Sequence, residues 1–132
     1  MRFLAKYTEP AYAALRAVSG FLFLFHGANK VLGLFAKSQP RPFSQIWAGG
    51  VIELVCGVLV AIGLFTRPAA FLASGTMAVA YFQFHFKFDV SGFRWLPYVN
   101  QGEHAALFCF VFFYIAARGP GLASLDARLR RA

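Results

Sequence analysis

From Pro68 to Phe86 the chain carries no formal charge over nineteen residues, a stretch long enough to cross the hydrocarbon core of a bilayer as a helix. Three more apolar stretches accompany it, and helices are read at about 11–35, 44–65, 68–87 and 101–118. At about 20 residues per crossing, 132 residues hold four helices and short connections, with no room for a separate water-soluble module. The expected fold is therefore all-α: one integral-membrane four-helix bundle over 1–132, running up-down-up-down.

Composition agrees with that expectation. Only 14% of the residues are charged, against about 25% in ordinary soluble domains. A soluble globule of this size with 17 Phe would expose large apolar patches. Two cysteines, Cys56 and Cys109, are too few for a disulfide-stapled scaffold. The net charge of +8 is not a nucleic-acid footprint, because the basic residues stand between apolar segments instead of clustering on one soluble face, so no nucleic-acid partner is expected. A cleaved signal peptide over Met1 to His26 is disfavoured, since Arg16 adjoins its apolar run and no small-x-small cleavage site follows. The basic residues instead set orientation: Arg2, Lys6, Arg67, Arg118, Arg128, Arg130 and Arg131 flank one side, and Lys37, Arg41, Lys87 and Arg94 the other. That bias places both termini in the cytoplasm.

Local signals fix the connections. Pro68 suits the first turn of the third helix, which leaves Thr66-Arg67 as a tight turn after the second. Ser44, after the polar Lys37–Pro42 loop, is an N-cap for the second helix. Trp95 and Tyr98 in the longest loop, about 89–99, and Trp47 on the same side, are rings suited to a membrane interface. The tail after Gly121 reads either as a short surface helix capped by Ser124 and anchored by Leu125 and Leu129, or as a solvated basic tail. Helices two and four resemble each other faintly, each opening on Gly and Glu and closing on Arg before Pro, which chance explains better than a duplicated hairpin.

Polar groups at membrane depth are costly and face the interior of a bundle, so Arg16, His26, Lys30, Glu53, His85, Glu103 and His104 carry the most information. Arg16, Gly20, Phe23, Gly27 and Lys30 follow one stripe of the first helix, with His26 on an adjoining face. Gly49, Glu53, Gly57 and Ala61 recur every four residues, which puts Glu53 in a helix seam. Ala70, Ser74, Ala78, Tyr81 and His85 repeat the device on the third helix. Counted at 1.5 Å per residue, His26 and Glu53 both lie roughly 13 Å below the outer surface and Lys30 roughly 8 Å. The expected outer-half polar pocket comprises His26, Lys30, Glu53, Tyr81, His85, Asn100, Glu103 and His104, with Glu53 paired to His26, Lys30 or Tyr81. Duller roles stand beside these. Lys30 and His85 can snorkel, Glu103 can close a capping box with Asn100, and Arg16 can snorkel or meet Asp126. No paired-ligand spacing supports a metal, Cys-x-x-Cys is missing, and no glycine-rich phosphate loop follows a strand.

The ordered set of Arg16, Gly20, His26-Gly27, Lys30, Gly50, Glu53, Gly57, Gly63, Arg67, Pro97, Asn100, Gly102-Glu103, Gly119-Pro120-Gly121 and Ser124-Leu125-Asp126 closely resembles the DoxX family of small bacterial membrane proteins. The resemblance covers nearly the whole chain and implies a four-helix bundle in the bacterial inner membrane. It also implies a redox setting, the family being named for its similarity to the membrane subunit of a thiosulfate:quinone oxidoreductase, with relatives linked to oxidative-stress and thiol redox complexes. It brings no agreed catalytic residues, and without a second, soluble subunit in the chain thiosulfate chemistry does not follow. The expected ligand is a quinone or similar amphipathic molecule, with no covalent cofactor; any catalysis would be that of a quinone-linked oxidoreductase. The alternative is a non-catalytic accessory or scaffold subunit of a larger respiratory or redox complex. Expected partners are membrane lipid and either another membrane or redox subunit or a second copy. Transport of a small solute is the weaker third reading, because four helices enclose little space.

Overall fold

The computed structural model describes residues 2–130; Met1, Arg131 and Ala132, including one of the arginines counted for orientation, lie outside them. Among the described residues there is no strand. A 3-10 turn, Arg2–Tyr7, leads into α1 (Thr8–Leu32), followed by α2 (Gln45–Ile62), α3 (Thr66–Ala80), α4 (Glu103–Arg118) and a short α5 (Leu125–Leu129). Two helical stretches, Phe3–Leu32 and Gln45–Ile62, are long and apolar enough to cross a membrane. By comparison α4 is a 16-residue helix, shorter than the roughly 20 residues a perpendicular crossing needs.

Helix ends differ from the sequence reading for identifiable reasons. The first helix stops at Leu32 because Gly33 takes a left-handed conformation, φ 70°, and the second stops at Ile62 because Gly63 does the same, φ 72°. Helix α3 starts two residues before Pro68, so the turn is Gly63–Phe65 and not Thr66-Arg67. From Tyr81 to Phe86 the helix continues as a π turn, and Lys87 closes it at positive φ. Ser44 caps α2, its side chain accepting from the Trp47 N–H.

α1 lies along α2 through glycines. A Cβ on Gly20 or Gly57 would run into the facing backbone, and one on Gly50 would fall 2.7 Å from the Lys30 Cβ. The seam of α2 is thus Gly50 and Gly57, whereas Gly49, expected there, faces open space. Side chains at such a contact would force the helices apart, so glycine is what permits it. α3 packs on α4, where the Ser74 hydroxyl donates to the Cys109 carbonyl at 2.8 Å, and Phe23, Val60, Ala73, Met77, Phe112 and Ile115 close the core. Cys56 and Cys109 are free thiols.

The end of the molecule bearing the termini is tied by polar contacts that bring the tail back. Arg16 neither snorkels nor bonds Asp126. It is 1% exposed and donates to the carbonyls of Val60 at 2.6 Å, Ala61 at 2.8 Å and Ala123 at 3.0 Å. A cation there satisfies the last carbonyls of α2 and complements the negative end of its dipole. Asp126 does the converse at the start of α3, accepting from the Phe65 N–H, the Thr66 N–H and the Thr66 hydroxyl at 2.8–2.9 Å. Phe65 has no side chain able to cap its own helix, so a residue sixty-one positions later supplies the cap. Burial works against the Asp126 carboxylate, yet these hydrogen bonds and the nearby Arg130 outweigh it and hold the carboxyl below the ordinary carboxylate range. The tail is therefore docked, with Ser124 buried and capping α5 through the Ala127 N–H.

Candidate functional site

At the opposite end, the close approach of α1 and α2 sets the last turn of α1 against the middle of α2. Lys30 Nζ donates to Glu53 Oε1 at 2.5 Å. The two partners are unequally placed: Glu53 is 2% exposed and Lys30 32%. The second carboxylate oxygen, Glu53 Oε2, is buried and has no hydrogen-bond partner among the described residues. A carboxylate oxygen out of water without a donor is costly, which makes this atom, with the buried Nε of Arg16 at the other end, one of two chemically unfinished points among the described residues.

Two hollows meet at Glu53. The smaller, about 140 Å3, receives side chains from all four long helical segments: Phe23, His26 and Lys30 from α1, Glu53 from α2, Met77, Ala80 and His85 from α3 and its π turn, and His104, Ala105 and Phe108 from α4. The larger is an apolar groove of about 580 Å3 between α2 and α3, floored by Gly49, Ile52 and Gly75 and walled by Leu72, Val79 and Phe84. Lys30, Glu53, Ala80 and His85 line both, so the polar pair stands where the cavity and the groove join.

Of the eight expected pocket residues, His26, Lys30, Glu53, His85 and His104 line the small cavity and three do not. Tyr81 donates instead to the Trp95 carbonyl at 2.6 Å. Asn100 donates through Nδ2 to the Arg94 carbonyl at 2.8 Å and accepts the Gly102 N–H on Oδ1 at 2.8 Å, so both residues organise the loop before α4. Glu103 is exposed and makes no capping box, because Asn100 serves Gly102 and not the third residue of a helix. His26 and His104 line the cavity but are exposed, His26 edge-on to Phe108, so Glu53 takes Lys30 and not His26 as its partner. His85 is half-buried, with Nδ1 3.2 Å from the Asn100 carbonyl oxygen. A carbonyl only accepts, so Nδ1 carries the hydrogen, and in the neutral ring Nε2 is left as an acceptor.

The groove was not read from the sequence. Gly49 and Gly75 carried its only signal, and small residues look alike whether they admit a neighbouring helix or leave a hollow. Among the described residues, no group of three or more His, Cys, Asp or Glu is arranged to hold a metal ion.

A family model described as DoxX matches residues 11–86, which takes in all but the first three residues of α1, then α2, α3 and the π turn, and with them four of the five polar residues lining the cavity. An uncharacterized protein of Haemophilus influenzae is 37% identical, the match covering 96% of each chain. A Bacillus subtilis relative named "Putative oxidoreductase CatD" is 28% identical over 85% of this chain and 81% of its own. The inner membrane protein YphA of Escherichia coli is 26% identical over 81% of each. No solved structure matches the chain.

Proposed function

Because the chain belongs to the DoxX family of membrane proteins, we propose that it is a multi-pass inner-membrane protein whose cavity at Glu53 binds the head of a quinone or similar amphipathic molecule while the groove between α2 and α3 takes its tail. In this reading the four long helical segments form an up-down-up-down bundle with both termini in the cytoplasm, and the Lys30–Glu53 end lies in the outer half of the membrane.

One observation carries the proposal: the unpartnered, buried Glu53 Oε2 stands at the junction of a polar cavity and an apolar groove. The sizes suit an amphipath. Cavities of about 150 Å3 accept a single six-membered ring, and the groove is several times larger and lined mostly by aliphatic carbon. Lys30 and Glu53 supply charge and hydrogen bonds to the head, and His85 can hold or pass a proton beside them. Bound quinone would supply electron-carrying chemistry; the chain supplies the site. The redox role takes support from the name of the Bacillus relative.

A second reading, an accessory subunit of a larger membrane complex, is favoured by outward-facing aromatics on α4, Phe110 and Phe113, both strongly exposed. Isolation in mild detergent followed by mass spectrometry of bound lipids and proteins separates the two. Co-purifying quinone, lost on Glu53→Leu with the fold intact, is the expected result. A stoichiometric protein partner with no bound amphipath would replace it with the accessory reading.

A further inference from the structure

Resting on the proposed amphipath site, we infer that its ligand carries a hydrogen-bond-donating head: a hydroquinone or phenol in preference to a quinone, ether or ester. Two acceptors at the junction decide this, whereas the Lys30 ammonium, with N–H to spare for a head of either kind, does not discriminate between them. Glu53 Oε1 already takes the Lys30 ammonium at 2.5 Å, and the same carboxylate leaves Oε2 buried with no donor in reach. The second is His85 Nε2, since the ring's Nδ1–H is committed to the Asn100 carbonyl. Glu53 and His85 line both the cavity and the groove, so a head lodged at the junction with its tail in the groove meets them together.

An acceptor-only head would leave Oε2 facing another lone pair inside a low-dielectric bundle. A hydroxyl would finish the carboxylate's coordination with a charge-assisted bond. A single hydrogen bond to a charged group sets the discrimination at about tenfold or more.

The preference is written in one side chain and should invert with it. In Glu53→Gln the amide oxygen takes over the Lys30 contact, because an ammonium has no lone pair to accept from the amide NH2. The NH2 then occupies the position of Oε2, and the orphan acceptor becomes an orphan donor.

The test is calorimetric binding to the full-length protein in mild detergent, each probe measured against empty micelles. One pair is decyl hydroquinone and decyl benzoquinone, handled without oxygen. The other is 4-decylphenol and 4-decylanisole, which differ in the donor hydrogen and are inert to redox exchange. The expected result is that the donor member of each pair binds wild type about tenfold or more tightly than its acceptor partner, and that Glu53→Gln reverses or abolishes the order. The wild-type comparison stands by itself should Glu53→Gln not fold. Equal binding within both pairs, or tighter binding of the quinone and anisole, overturns the donor assignment while leaving an amphipath site in place. Failure of all the probes to bind a folded protein overturns the site itself and this inference with it.

Discussion

Gly27 of α1 and Gly50 of α2 approach so closely that a Cβ on Gly27 would stand 2.5 Å from the Gly50 carbonyl oxygen. The two helices run antiparallel, so Lys30 stands level with Gly50, its Cβ 2.7 Å from one placed there, while Gly27 lies level with Leu54 beside Glu53; across this backbone contact the lysine stem reaches along α2 to the carboxylate. Gly27→Ala is expected to push the two helices apart and lower stability by about 1–3 kcal/mol, the range of overpacked cores. Gly49→Ala, whose added methyl meets nothing, should keep or slightly raise the melting temperature. Thermal melting of the two variants in one detergent checks the contrast, and equal destabilisation would remove the seam from the argument.

How much of this was legible depends on where the deciding atoms sit. On α1, Arg16, Gly20, Phe23 and Gly27 form a stripe in the sequence and all four are buried, because every residue that defines the face belongs to the same helix. On α2 the stripe holds at Glu53, Gly57 and Ala61 and fails at Gly49, whose place in the seam is taken by Gly50. Gly49 and Gly50 are identical in type, and what separates them is Lys30 and Val31 on the neighbouring helix. Arg16 and Asp126 failed for the same reason at longer range. A depth count cannot see that the tail returns to offer the Ala123 carbonyl, or that Phe65 leaves a helix start for Asp126 to cap. The pairing of Lys30 with Glu53 stood among the partners expected, whereas Tyr81 and Asn100 were drawn off by loop backbone that no periodicity describes.

Glu53→Gln keeps an acceptor for the Lys30 ammonium, whereas Glu53→Leu leaves Lys30 without one. Leu is therefore expected to lose about 1–3 kcal/mol of stability relative to wild type and Gln distinctly less. Melting curves in detergent provide the check. A Leu variant as stable as wild type, with unaltered cellular function, would strip Glu53 of any site-forming role.

Asp126 gives the tail a defined pH response. Its carboxyl lies lower in the folded protein than when unfolded, so its contribution to docking is complete above the ordinary carboxylate value of about 3.9 and is lost as pH falls through the lower, folded value. Amide exchange at Phe65 and Thr66, corrected for intrinsic rates, should therefore be unchanged from pH 7 down to about 5 and accelerate on the acid side of about 4. Asp126→Ala should show the faster exchange at every pH. An Asp126→Ala protein that exchanges Phe65 and Thr66 no faster than wild type at pH 7 would mean that the carboxylate does not hold the start of α3.

Orientation is checked by single cysteines in a background lacking Cys56 and Cys109. Introduced at Ser38 in the α1–α2 connection or Ser91 before α4, they should react with an impermeant maleimide in intact cells. At Arg128 in α5, reaction should require rupture. The reverse pattern would put the Glu53 end on the cytoplasmic side.

The groove can be closed without touching the polar pair. A Cβ on Gly75 meets nothing within 4 Å, and the residue lines the groove beside Leu72 and Val79, so Gly75→Leu adds bulk to the hollow without a clash against backbone. Removing a helix-interior glycine also favours the fold, by about 1 kcal/mol at most. The expected result is a protein that melts at or above the wild-type temperature and has lost most of its bound amphipath. Short-tailed probes should suffer less than long-tailed ones, because the head still reaches Glu53 through the small cavity. Mass spectrometry of the lipid retained after purification, with binding of probes graded in tail length, gives both readings. Undiminished retention of long-tailed ligand by a folded Gly75→Leu protein would show that the tail lies elsewhere, and would leave the groove as a lipid-facing furrow between α2 and α3.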